Sequence, residues 1–357
     1  MPGLSIYIER NLARLTERVS AAAVPGGRLP VAYRQLLGLF LLFFHLPQFT
    51  YLSQLPAELF QPFPLSLAGI FPTSPGAATW LAIEGLLAGA AAALTLGWRP
   101  RVAGGLFALG YTFGHSYLFA LGKINHHGFL LLVLVGGSLI GWERGTYRAY
   151  RLYGTAVAVL LCFAMLYAGQ GKVRNWIDFD LATSGLLNWY FEGYYLLERR
   201  YLLAPFVPHA PAWIRELADG LAALFEVVAV ICLVAGRRWW LGWLLMAGVF
   251  HLTTTLLLNI PFEVHAVVYL LFLPIPIHPH LSRVVVYGLV ALGVGFRLAQ
   301  WLLAARGTTI LSGWLPVPEE AVLAYLGVGL WSSFVLVVLH SLYKPGAHTA
   351  RNLKPTL

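Results

Sequence analysis

Charged residues are scarce in this chain. Only 11% of its 357 residues are Asp, Glu, Lys or Arg, and 59% are hydrophobic, whereas about 25% charged residues are usual in a soluble domain. This composition excludes an ordinary soluble globular protein. Cysteine is nearly absent as well: Cys162 and Cys232 are too few for a disulfide framework. Both fall within apolar runs, where we expect a cysteine to act as a small buried hydrophobe.

Long apolar runs recur along the whole chain. Crossing a bilayer takes about 20 mostly apolar residues. We therefore predict an all-α fold, a polytopic integral membrane bundle of about ten transmembrane helices, with a range of about eight to ten. The predicted spans are roughly 31–52, 76–96, 102–122, 127–142, 152–171, 215–235, 239–260, 264–281, 284–304 and 320–342.

The distribution of basic residues predicts the orientation. With the N-terminus in the cytoplasm, most of the 24 lysines and arginines fall in inner segments, as the positive-inside rule requires. The net charge of +9 then indicates topology and anionic lipid rather than a nucleic-acid partner. We expect a bacterial inner (cell) membrane protein with both termini cytoplasmic.

The predicted organisation has three parts. Residues 1–29 are expected to be a cytoplasmic amphipathic segment without the apolar stretch of a signal peptide. Residues 30–343 would form the transmembrane domain, and within it 172–214 would be an aromatic-rich excursion on the outer face. Residues 344–357 would be a cytoplasmic tail.

A single lysine ends the fifth predicted span. Lys172 closes the run Tyr167-Ala168-Gly169-Gln170-Gly171. Partial burial disfavours the charged form of an amine, and a neutral amine is a base or a nucleophile. The alternative is that Lys172 extends its ammonium to the interface, as lysines at helix ends often do. Its position alone leaves both open.

Several polar side chains within the predicted spans share the outer half of the membrane. Ionisable groups are costly there and face the bundle interior or a cavity. The predicted topology places Glu84, Glu226, His251 and His265 in or near this half, with Thr255 one turn after His251. We treat these five residues as candidates for lining a shared substrate or cofactor pocket.

Structural roles are the alternatives for the same residues. Glu226 or Glu84 would pair with Arg297, and the polar stripe through His251 would join helices. Asp219, near the end of a span, is expected to be solvated. A proton-coupled transporter would depend on Glu84, Glu226 and Arg297, but no inverted repeat is visible in the sequence.

A metal centre is not expected despite the eleven histidines. His126 and His127 are adjacent, and neighbours on a helix point about 100° apart. No His or Cys cluster has zinc-ligand spacing.

Three segments carry a resemblance to a known family. The segments are Lys123-Ile124-Asn125-His126-His127-Gly128-Phe129-Leu130, Ala168-Gly169-Gln170-Gly171-Lys172 followed by Trp176, and Phe250-His251 with Ile260-Pro261-Phe262 nine residues later. In this order, they resemble segments of the HTTM membrane domain family, which includes the membrane part of vitamin K-dependent γ-carboxylase. The likeness covers roughly residues 30–280.

The resemblance implies an enzyme of the lyase or oxidoreductase kind. In the carboxylase the matched lysine starts the oxygenation of a reduced quinone, and the strong base so produced removes a glutamate γ-proton. By resemblance Lys172 would be the base, His126 its hydrogen-bond partner and His251 part of the pocket, with Asn125 and Trp176 nearby. The implied cofactor is a reduced quinone of the vitamin K or menaquinol type.

Two departures from the carboxylase change the expected substrate. The carboxylase has a large luminal domain after its membrane part, and it has a second lysine directly before its base, where this chain has Gly171. We expect a smaller substrate, whether a peptide, a lipid or the quinone itself. Because some family members resemble maturation factors for secreted bacterial peptides, a non-catalytic factor for maturation, export or binding of a secreted peptide is the alternative.

Overall fold

The regular elements of the molecule are helices. The computed structural model describes residues 2–24, 31–62, 66–70, 73–120, 128–140, 147–178, 180, 183–273, 282–304 and 319–343, and these contain no strand. The α-helices are α1 (Pro2–Ala23), α2 (Val31–Phe43), α3 (Ala77–Leu96), α4 (Pro100–Phe119), α5 (Gly128–Ile140), α6 (Tyr147–Asn175), α7 (Gly185–Phe191), α8 (Ala212–Val227), α9 (Ala229–Ala235), α10 (Arg237–Leu258), α11 (Glu263–Leu270), α12 (Arg283–Ala304) and α13 (Glu319–Tyr343). Short 3₁₀ turns occur at Thr50–Gln54, Ala57–Leu59, Ala68–Ile70 and Ala204–His209, and a π turn at Glu192–Leu196.

Several helices are long and apolar enough to cross a membrane. In the described part of the chain there are five, in α3, α6, α10, α12 and α13. The pair α8 and α9, bent by 45° at its break, would make a sixth if it forms one span. The all-helical expectation is therefore confirmed, with five described helices long and apolar enough to cross a membrane, and the expectation of ten spans is not confirmed.

The missing spans are helices that are too short or insufficiently apolar. The first predicted span, 31–52, is helical only over the 13 residues of α2, about 20 Å of rise. The chain leaves the helix before Pro47, whose ring disfavours helical backbone in the residue that precedes it. The eighth, 264–281, is helical over the eight residues of α11, and residues 274–281 lie outside the described part. Neither α4 nor the 13-residue α5 is among the five spanning helices.

The chain divides into two compact units. The first unit comprises residues 1–27, 151–275 and 311–357, and the second comprises 28–150 and 276–310. In the first unit α10 packs against α13 and α9, and α1 lies against α9 and α10. In the second unit α3 packs against α2, α4 and α12.

Arginines of the first unit bind carbonyl groups at the ends of other helices. Arg237 donates to Ala22 O at the end of α1 (2.8 Å) and to Phe272 O just after α11 (2.7 Å). Arg18 donates to Ala235 O, the last residue of α9 (3.1 Å). The last carbonyls of a helix have no partner within the helix and carry partial negative charge. A guanidinium satisfies both needs.

The second unit uses the same device within a predicted span. Arg297 of α12 donates to Leu42 O (2.7 Å) and Phe43 O (2.9 Å), the last carbonyls of α2. Arg34 donates to Leu94 O near the end of α3 (3.0 Å). Arg297 is 5% exposed, so these carbonyls offset much of the cost of burying its charge.

Candidate functional site

Lys172 and Glu226 form a close ion pair in the first unit. Lys172 lies in the last turn of α6, and Glu226 lies in the last turn of α8, beside the 45° bend into α9. The Lys172 Nζ donates to both Glu226 carboxylate oxygens at 2.7 Å. The two side chains are 13% and 9% exposed. Each of these charge-assisted hydrogen bonds places a proton of the Lys172 ammonium directly against a carboxylate oxygen of Glu226. The pair lies at the end of the apolar helix α6.

A glycine permits the approach of α6 to α8. Gly169 lies one turn before Lys172, on the same side of α6. A Cβ at this position would lie 2.8 Å from Val227 Cγ2 and 3.0 Å from Glu226 Cβ. Any larger side chain would therefore push α8 away from α6 and lengthen the Lys172–Glu226 contact.

Trp176 lies one turn after Lys172 and covers the amine. The Nζ is 5.0 Å from the centre of the Trp176 ring, within the range of a cation–π contact. The indole also packs against Gly185, where a Cβ would approach a ring carbon to 2.1 Å, and against Trp189 in a T-shaped contact, at 6.2 Å between ring centres. The structure thus brings together three of the candidate residues: Lys172, Glu226 and Trp176.

Asp219 is buried rather than solvated, so the expectation for this residue is wrong. It is 1% exposed and accepts hydrogen bonds from Ser184 Oγ (2.9 Å), Gly185 N (2.9 Å) and Leu186 N (2.8 Å). Three donors from the start of α7 satisfy the carboxylate, which is how a charged group is kept inside a protein.

His251 and His265 belong to a second cluster in the same unit. The His251 Nε2 lies 3.2 Å from the Tyr269 hydroxyl. Its ring stacks on Trp331 at 4.5 Å and lies 5.2 Å from the His265 ring. His251 is 2% exposed, and its Nδ1 has no hydrogen-bond partner within the described residues. The cluster is a packed aromatic core around the His251 ring.

The Lys172–Glu226 pair and the aromatic cluster around His251 involve neighbouring residues of α8. The edge of Phe225, which directly precedes Glu226, meets the His251 ring at 6.2 Å between centres. Within the described residues, the hydrogen bonds, ion pairs and ring contacts of Lys172 do not include His251. Phe225 of α8 thus links His251 to the position next to Glu226.

Thr255 is placed by backbone bonds rather than by a cavity. Its hydroxyl donates to His251 O (2.8 Å) and to Ile260 O (3.0 Å). Farther along the stripe, Asn259 bonds both the N–H (2.8 Å) and the carbonyl (3.1 Å) of Tyr201. These two members of the polar stripe thus fix the end of α10, which favours the structural alternative for Thr255.

Glu84 lies in the second unit and is engaged by its own surroundings. It accepts the Phe49 N–H, the Thr50 N–H (2.7 Å) and the Thr50 hydroxyl (2.8 Å) on one oxygen, and Trp301 Nε1 (2.9 Å) on the other. No hydrogen bond or salt bridge in the described residues joins it to Arg297. Glu84 anchors the chain after α2.

The remaining candidates lie elsewhere or outside the described residues. Asn125 and His126 fall within 121–127, which the structure does not describe, so their expected proximity to Lys172 stays a prediction. In the described ranges, no three His, Cys, Asp or Glu side chains form a group that could hold a metal ion. A cavity of about 310 Å³ in the second unit is lined by Ser53, Phe60, Tyr117 and neighbouring residues, and by none of the candidates.

Sequence reasoning missed three residues of the site: Gly169, Asp219 and Gly185. One signal was available, because Asp219 and Glu226 are seven residues apart and so lie on one face of a helix. Comparison of the chain with protein-family models, curated proteins and solved structures found no match. The resemblance of the three motifs therefore stays a prediction.

Proposed function

We propose that this chain is a multi-pass membrane enzyme in which Lys172 takes a proton from a lipid-soluble substrate at the outer membrane face. One observation carries the proposal: the amine lies 2.7 Å from both oxygens of Glu226 in a mostly buried pair. A carboxylate at this distance can accept the ammonium proton and leave a neutral amine. An apolar setting favours this transfer, because it removes two buried charges together.

The proposed proton path uses only these two side chains. Glu226 takes one proton from Lys172 at a carboxylate oxygen, and the free amine then takes the acidic proton of the substrate at Nζ. The net result is one proton moved from substrate to Glu226, with Lys172 again an ammonium.

A reduced quinone of the vitamin K or menaquinol type is the proposed cofactor. It would supply an ionisable hydroxyl and the electrons for reducing oxygen. The residues present fit such a group, because the Lys172 amine can bind a ring hydroxyl. Exposed apolar residues on α6, such as Phe163 and Tyr167, suit a helix that faces lipid. The proposed protein has ten spans with both termini cytoplasmic and lies in a bacterial inner membrane. It is a carboxylase-like enzyme of the HTTM family.

Oxygen consumption by the detergent-purified protein, supplied with a menaquinol analogue, tests the proposal. We expect uptake in the wild type, and its loss in Lys172→Ala and Lys172→Arg, because a guanidinium does not deprotonate. Arg174→Ala is the matched control, since Arg174 is an exposed basic residue two positions away on α6. Uptake that survives Lys172→Ala, or a folded wild type that consumes no oxygen with several quinols, would overturn the proposal.

A second candidate is a non-catalytic factor that binds, matures or exports a secreted peptide. It is favoured by the exposed apolar side chains of the outer excursion, among them Phe191, Leu196, Phe206 and Trp213. Photo-cross-linking from benzoylphenylalanine at position 206 in cells distinguishes the candidates. Adducts to a small secreted peptide support the non-catalytic factor. Adducts to lipid alone indicate that the exposed apolar surface lies against the membrane, and they count against the factor.

A further inference from the structure

α7 is a seven-residue helix whose N-terminal end is bound by a side chain of α8. Asp219 binds Ser184 Oγ, Gly185 N and Leu186 N, all within 2.9 Å. Ser184 is also the N-cap of α7, and its Oγ accepts the Leu187 N–H at 3.3 Å. A carboxylate at this end of a helix satisfies N–H groups that have no partner within the helix.

Asp219 and Glu226 occupy one face of α8. They are seven residues apart, which is two helical turns, or about 10 Å along the axis. Both are buried. The same face of α8 thus binds the start of α7 through Asp219 and the Lys172 amine through Glu226.

Trp176 connects these two attachments. Its indole contacts both the Lys172 amine, 5.0 Å from the ring centre, and Gly185 at the start of α7. The fit at Gly185 is tight, because a Cβ there would meet three ring carbons between 2.1 and 2.4 Å. The position of α7 therefore sets how closely the indole covers the amine.

We propose that Asp219 is a positioning residue for the Lys172–Glu226 pair: it holds α7 so that Gly185 seats Trp176 over the amine. This rests on the proposed function only in assigning the amine a chemical role. The Trp176 indole is the cover of the Lys172 amine, and it limits how readily water or a reagent reaches that amine. Release of α7 from Asp219 moves the indole and exposes the amine.

The test measures the amine itself and does not need activity. The purified full-length protein is labelled with a water-soluble amine-reactive ester over a range of pH, and the modification of each lysine is followed by peptide mass spectrometry. Lys123, Lys344 and Lys354 serve as internal references. Asp219→Asn removes an acceptor oxygen, and Gly185→Ala forces the indole away. Each should raise the Lys172 labelling rate about two- to fivefold, the range that corresponds to an ordinary cation–π contact.

Two glycines provide matched controls. Gly220, next to Asp219, and Gly171, next to Lys172, have open space where a Cβ would be placed. Gly220→Ala and Gly171→Ala should leave Lys172 labelling at the wild-type rate. If Asp219→Asn fails to fold, Gly185→Ala and Trp176→Leu still test the cover.

The outcomes separate this inference from the proposed function. Faster labelling of Lys172 in the folded Asp219→Asn and Gly185→Ala variants supports the cover even if no quinol supports oxygen uptake. Unchanged labelling in both folded variants overturns the cover even if oxygen uptake requires Lys172. A rise of equal size for every lysine also overturns it, because that reports general loosening.

Discussion

Removing both members of the Lys172–Glu226 pair should harm the protein's stability less than removing either one. Lys172→Met leaves a carboxylate that is 9% exposed without its cation, and Glu226→Gln leaves an ammonium that is 13% exposed without its anion. Breaking a fully buried pair costs about 3–5 kcal/mol, whereas an exposed pair contributes about 0–1 kcal/mol. With slight exposure on both sides, we expect each single variant to lose about 2 kcal/mol of unfolding free energy.

The double variant, Lys172→Met with Glu226→Gln, should lose clearly less than the sum of the two single losses. A coupling of about 1–2 kcal/mol is expected, because neither remaining side chain carries an unpaired charge. Thermal unfolding in one mild detergent, followed by tryptophan fluorescence, gives the four stabilities. Oxygen uptake on the same samples should be absent in the double variant despite its recovered stability.

A control cycle uses Arg174→Met with Glu226→Gln. Arg174 is exposed and has no ion pair with Glu226 in the described residues, so these two changes should add. If the Lys172 cycle is also additive, the pair is not formed in solution and the proton path loses its basis. If the double variant is both stable and active, the pair is structural.

Three other predictions follow from the structure. Gly169→Ala should destabilise the protein by about 1–3 kcal/mol, because its Cβ would overpack α8. Gly171→Ala, in open space on the same helix, should be neutral in the same thermal unfolding experiment. Arg297→Met should destabilise by about 1–3 kcal/mol, because two buried carbonyls at the end of α2 lose their donor, and Arg297→Lys should recover part of the loss. Fluorescent-protein fusions should fluoresce at both termini if the N-terminus is cytoplasmic as predicted, since an even number of spans, ten or six, places both termini on the same side, whereas five place them on opposite sides.

The long helices could be predicted because their cause is local. A run of about 20 apolar residues commits its backbone to a helix in lipid whatever surrounds it, and the bounds of α3, α10 and α13 agree with the runs that predicted them within about three residues. The short elements could not be predicted in this way. The carbonyls at the end of α2 bind Arg297, which is more than 250 residues later in the chain. A window of sequence does not contain such a partner.

The residues of the candidate site also differ in whether local sequence is enough to recognise them. Lys172 was visible because a charge at the end of an apolar run is conspicuous. Its partner was not, because Glu226 lies 54 residues away and Arg297 was an equally plausible cation for it. Gly169 and Gly185 could not be singled out among 36 glycines, since the reason for each is the side chain that approaches it.

The aromatic excursion illustrates why composition alone leaves a role undecided. It was predicted as an aromatic-rich segment on the outer face, and its Tyr190 is 3% exposed and packs with Val207 against Leu258 at the end of α10. The adjacent Phe191 and the later Phe206 are exposed. One side of the excursion is thus fixed to the membrane helices, while the other offers apolar surface outward. The fixed side keeps Trp189 against Trp176, the ring that lies over the Lys172 amine.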